Sequence, residues 1–88
     1  MDRLQSEIRE FILTQFPVAK KKKIKDDDVL LESGIIDSLG VMEIVNYIAE
    51  RYELDIDDDD LVPENFNSVQ AIAEFVNQKQ HNNASSLH

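Results

Sequence analysis

The 88 residues suffice for one compact domain, and a chain this short buries only about 60–65% of its unfolded surface, so its core must be economical. The absence of cysteine excludes disulfide bracing and cysteine-based zinc sites. The net charge of −9 excludes a phosphate backbone as the natural partner of the main body and favours basic surfaces instead.

The charge is unevenly spread. Residues 1–25 hold seven Lys/Arg against Asp2, Glu7 and Glu10, a balance of +4, whereas residues 26–88 hold fifteen Asp/Glu against Arg51 and Lys79, a balance of −13. The N-terminus has no apolar signal core, and no apolar run approaches the roughly 20 residues of a membrane span. A soluble, cytoplasmic protein without stable membrane insertion is expected.

Leu4, Ile8, Phe11 and Ile12 follow i, i+4, i+7, i+8 spacing and predict a first helix over about residues 2–16. Asp2 and Gln5 have capping-box spacing, and Pro17 marks the stop. Residues 17–37 form a long connection carrying Lys20–Lys23, Lys25 and then Asp26–Asp28; a connection of this length in a small domain points to a functional loop. Val29, Leu30, Leu31, Ile35 and Ile36 are expected to pin it across a bundle end, with Gly34 permitting a turn. The lysine run reads as a solvated stretch attracted to the neighbouring aspartates, in preference to a lipid-binding patch.

A second helix is predicted from Ser38 to Tyr52 with Asp37 as N-cap; Leu39, Met42, Val45, Ile48 and Tyr52 share one face, widened by Val41, Ile44 and Ala49. An acidic connection over residues 55–60 follows. Leu61–Phe66 suits a short helical turn because Pro63 is tolerated near a helix start. A last helix is expected from Ser68 to Lys79, capped by Asn67 with Gln70 three residues on, and its stripe is Val69, Ile72, Ala73 and Val76. Residues 81–88 read as a flexible tail. The fold class is all-α: a small four-helix bundle of three longer helices and one short one, with a long first loop.

Ser38 opens the second helix, where unpaired N–H groups and the helix dipole favour an anion. A phosphate esterified to its hydroxyl would therefore be well placed. Taken alone, Asp37-Ser38-Leu39 is a common cap. The wider frame is more specific: Gly34, Asp37-Ser38-Leu39, Glu43-Ile44, Tyr52-Glu53-Leu54-Asp55-Ile56 and Phe66-Asn67-Ser68-Val69 resemble the acyl carrier protein family over about residues 2–79.

The resemblance implies a carrier domain over residues 1–80, monomeric and non-catalytic, with 4′-phosphopantetheine from coenzyme A attached to Ser38 by a phosphopantetheinyl transferase. Acyl or aminoacyl groups would travel on the arm as thioesters, exchanged with a loading enzyme and with downstream transferases or synthases. Asp37, Leu39, Gly40, Met42 and Glu43 match motif and partner-contact positions. Gly40 stands where fatty-acid carriers usually have an acidic residue, and Arg51 thins the acidic stripe to Glu43, Glu50 and Glu53. Asp-Ser-x-Gly resembles D-alanine carriers and several stand-alone carriers, so a specialised pathway and a stand-alone chain are expected.

Acids from Glu53 onward fall at calcium-loop positions, but position 6 is Asp58 instead of Gly and Pro63 intrudes, so no metal site is expected. There is no G-x-S-x-G, and the histidines are His81 and His88, which argues against a serine hydrolase. The alternative of a different class is an unmodified acidic helical module that binds basic partners.

Overall fold

The structure, a computed structural model, describes residues 3–86, and side chains as far as residue 81. Five helices follow one another: α1 Arg3–Gln15, α2 Pro17–Lys22, α3 Ser38–Arg51, α4 Pro63–Phe66 and α5 Val69–Ser86, with a 3₁₀ turn at Asp58–Asp60 before α4. No strand occurs among the described residues, so the predicted all-helical class holds. The proposed Asp2–Gln5 cap lies outside them, because Asp2 is not described.

One core joins the stripes read from the sequence. Ile8 and Ile12 of α1, Ile44, Val45 and Ile48 of α3, and Val69, Ile72, Phe75 and Val76 of α5 are all buried. Each such side chain contributes about 1.5–3 kcal/mol by leaving water. Phe66 of α4 meets Phe75 of α5 edge-on, with ring centroids 5.3 Å apart. Phe11 of α1 stacks on Tyr47 of α3 at 3.9 Å. Glu7 ties the same two helices, accepting from the Tyr52 hydroxyl at 2.8 Å and pairing with Arg51 at 3.3 Å. Burial, and then the bond to Glu7, push the Tyr52 phenol well above its ordinary range.

The long connection is more ordered than its sequence suggests. Pro17 stops α1 and also opens α2, where a missing N–H costs nothing. Lys23 ends α2 in the left-handed region at φ 53°, and its N–H returns to the α2 carbonyls. Ile24, Leu30 and Ile36 are buried along the rest of the loop, and Gly34 turns at φ +81° as expected. Backbone bonds then fasten the loop to the start of α5: Leu30 N–H donates to Asn67 O at 2.7 Å, and Gln70 N–H to Asp26 O at 2.9 Å. The Asp26 carboxylate also accepts from Gln5 and Arg9 of α1.

Two expectations about the last helix are corrected. Its cap is Ser68, whose Oγ accepts from Ala71 N–H at 3.0 Å. Asn67 instead turns its Oδ1 to Leu31 N–H, so its amide anchors the loop. The helix also runs to Ser86, beyond the expected end at Lys79.

Candidate functional site at the start of α3

Asp37 does what its position predicts. With extended backbone (φ −103°, ψ −171°) it accepts from Gly40 N–H at 2.8 Å through its side chain, and from Val41 N–H at 2.9 Å through its carbonyl. The N–H groups of Ser38 and Leu39 lie in the first turn, which has no earlier turn to accept them. Ser38 itself is exposed, and its hydroxyl has no hydrogen-bond partner among the described residues. It is a free nucleophile at a helix N-terminus. The adjacent carboxylate, Asp37, is engaged through Oδ1 as the helix cap.

An apolar groove of about 550 Å³ opens beside Ser38. Val41 and Met42 of α3 form one wall; Leu61, Val62, Pro63 and Phe66 form the other, with Leu31 and Glu32 at the end. The second wall hangs from Asp60. Its carboxylate caps the 3₁₀ turn by accepting from Asp57 N–H at 3.0 Å, and pairs with Lys79 of α5 at 2.9 Å. Its carbonyl accepts from Asn65 Nδ2 at 2.8 Å. The Lys79 ammonium, followed by the Asp57 backbone bond, holds the Asp60 carboxyl below its ordinary range. Sequence reading placed Leu61–Phe66 in a short turn but did not assign it to the site. The signal available was an apolar cluster immediately after four aspartates.

The expected face of α3 divides in two. Gly40, Ile44, Val45 and Ile48 point into the core, whereas Leu39 is 74% exposed and Met42 45% exposed. Leu39 and Met42 therefore belong to the surface around Ser38. Glu43 lies on the same outer side, within 3.5 Å of Gln15 of α1. Gly40 is buried because the chain comes close: a Cβ there would sit 2.6 Å from Ile36 Cγ2 and 2.9 Å from Phe16 Cε1. The acidic side chain of ordinary fatty-acid carriers has no room at this position. Arg51 is engaged with Glu7.

The acidic connection forms a capped turn, and among the described residues no group of three acidic or histidine side chains converges on a point that could hold a metal ion. None of the described helices is long and apolar enough to cross a membrane.

A family model described as the phosphopantetheine attachment site matches residues 6–76. An acyl carrier protein homolog of Mycoplasmopsis pulmonis (strain UAB CTIP) is 33% identical over 72 residues, covering 82% of this chain and 94% of the relative. A probable acyl carrier protein PigG of Serratia sp. (strain ATCC 39006) is 27% identical over 73 residues, covering 83% of this chain and 84% of that protein.

Proposed function

The chain belongs to the phosphopantetheine-attachment family of acyl carrier proteins, and from that premise we propose that Ser38 is its attachment residue. The protein is a phosphopantetheine carrier serving biosynthetic enzymes. The observation that carries the assignment is an exposed, unbonded hydroxyl in the first turn of a capped helix, at the mouth of an apolar groove.

The residues present fit the arm. A phosphodiester on Ser38 would lie against the N–H groups of the first turn of α3, where the helix end favours negative charge. The apolar part of the arm or its cargo would lie along Val41, Met42, Leu61 and Phe66. Bound, the arm supplies a thiol that carries acyl or aminoacyl groups as thioesters. The chain's own contribution is to hold the attachment point rigid and to leave it accessible. A phosphopantetheinyl transferase acts on Ser38, and loading and unloading enzymes act on the arm. The remaining assignments follow from this reading: residues 1–80 as the carrier domain, a cytoplasmic and monomeric protein, and Leu39, Met42 and Glu43 as partner contacts around a Gly40 that lets Phe16 and Ile36 approach. The buried Gly40 supports a specialised pathway over housekeeping fatty-acid synthesis.

Incubation with coenzyme A, Mg²⁺ and a broad-specificity transferase should add one phosphopantetheine by intact mass, and Ser38→Ala should prevent it. Addition to Ser38→Ala at the wild-type rate, or no addition with several transferases, would sink the assignment.

A further inference from the structure

The lysine run remains outside this account. Lys20, Lys21, Lys22, Lys23 and Lys25 are all exposed, and no described carboxylate pairs with any of their ammonium groups. Of the three neighbouring aspartates two are engaged elsewhere, and Asp27 is exposed without an ion pair to any of these lysines. Asp26 is held by Gln5 and Arg9, and Asp28 accepts from the backbone N–H of Lys25. The run is also held in place. Ala19 and Ile24 are buried on either side of Lys20–Lys23, Pro17 fixes the start of α2, and Lys23 closes it in a left-handed turn. Five like charges are thus fixed side by side, unneutralised, on a molecule carrying eighteen acidic residues.

Their location relative to Ser38 gives the cluster a use. The Phe16 ring lies against Gly40, so α2 begins beside the first turn of α3. A six-residue helix is only about 9 Å long, whereas a standard protein interface covers about 800 Å² on each partner. A partner seated over Ser38 would therefore also cover α2. That footprint contains exposed apolar residues (Val18 at 47%, Leu39 at 74% and Met42 at 45%), with the lysines along α2 and the Glu43 carboxylate against Gln15, directly ahead of α2. An apolar centre with a charged rim is the anatomy of a protein–protein interface.

We propose that Lys20–Lys25 form the basic half of a two-signed docking rim around Ser38, which fits an acidic patch on the surface of an enzyme that loads or unloads the arm. The proposal rests on Ser38 as the attachment residue only for the identity of the partner; the surface itself needs no arm. A fixed basic cluster beside Ser38 biases the orientation in which an acidic partner approaches. A lipid surface fits less well, since Pro17 and Val18 are the exposed apolar residues of α2, which leaves little to insert. Nucleic acid would find no exposed aromatic ring on this segment for stacking.

The test uses the unmodified full chain labelled with ¹⁵N and three defined probes: an amphipathic Glu/Leu helical peptide, its Lys/Leu counterpart, and phosphatidylglycerol vesicles. The acidic peptide should shift the amides of residues 18–25 together with those of 38–43. Its binding should weaken roughly tenfold when Lys20–Lys23 are all changed to Gln, and survive their change to Arg. The Lys/Leu peptide should shift residues 55–60 instead, and the vesicles should leave the protein in the supernatant. Shifts confined to the lysines with residues 38–43 silent, binding unaffected by the Gln variant, or co-sedimentation with the vesicles would each overturn the proposal. Failure of Ser38 to accept the arm is a separate result, read by mass, and leaves the peptide titration interpretable.

Discussion

Replacing Gly40 with Ala tests whether Phe16 and Ile36 come as close to the start of α3 as the structure requires. In an open helix the change stabilises by about 1 kcal/mol, because Ala is the better helix former. Here the new methyl meets Ile36 Cγ2 at 2.6 Å and the Phe16 ring at 2.9 Å, both well inside van der Waals contact. Phe16 is half-buried and has room to swing. Ile36 is 1% exposed and directly precedes the Asp37 cap, so it yields only by moving that cap. Overpacking of this kind costs about 1–3 kcal/mol, which leaves a net loss of about 0–2 kcal/mol after the helix gain of about 1 kcal/mol. For a domain of this size each kcal/mol lowers Tm by about 4–8 °C. Urea and thermal unfolding followed at 222 nm read the loss. Phe16→Leu should recover part of it, giving a coupling of about 0.5 kcal/mol or more in the double-mutant cycle. A Gly40→Ala protein about 1 kcal/mol more stable than wild type, the gain of an open helix, would refute the close approach.

Three further outcomes are expected. Ser68→Ala should cost about 1 kcal/mol in urea unfolding as the loss of an N-cap, and more than Asn67→Ala, whose amide bond to Leu31 N–H is long at 3.4 Å; the reverse order would return the cap to Asn67. Leu39→Ala should leave stability within about 0.5 kcal/mol, since the side chain is largely exposed, yet slow attachment or loading on the order of tenfold as a lost interface anchor; unchanged rates in coupled mass assays would remove Leu39 from the docking surface. Asp60 has a depressed carboxyl in the folded protein, so its contribution is complete above the unfolded value of about 3.9 and is lost as pH falls through the lower folded one. Amide exchange of Leu61–Phe66 should therefore accelerate below about pH 4 in wild type, whereas Asp60→Asn should show fast exchange already at neutral pH; identical pH profiles would disprove the role of the Asp60–Lys79 pair.

Much of this architecture was legible because it depends on local rules. The 3.6-residue spacing of Ile8 and Ile12, the cap at Asp37 and the turn at Gly34 are consequences of nearby residues alone. The divided face of α3 was not legible. Leu39 and Met42 fit an apolar stripe by spacing, and only the packing of Phe16 and Ile36 over Gly40 shows that the core lies on the other side. The same holds for Asn67 and Ser68. Both are good cap residues, and the choice between them is made by Leu31, thirty-six positions away in the chain. The groove wall of Leu61–Phe66 depends on a bond to Lys79 that no local pattern announces. The lysine run was visible, but its lack of neutralising partners follows from where Arg9 and Gln5 draw Asp26.

The bonds that close the long connection come from residues 67–70, near the end of the described chain. Leu30 and Asp26 have no partners for these groups until α5 has begun to form. A ribosome releases the chain from its N-terminus, so α1, α2 and the Ser38 segment emerge before the groups that fasten them. The loop preceding Asp37 is therefore the last part of the attachment region to become fixed. An incomplete chain ending before α5 would display the Asp37-Ser38-Leu39 sequence without the shape that presents it. The contacts that shape this segment are thus complete only once residues 67–70 are in place.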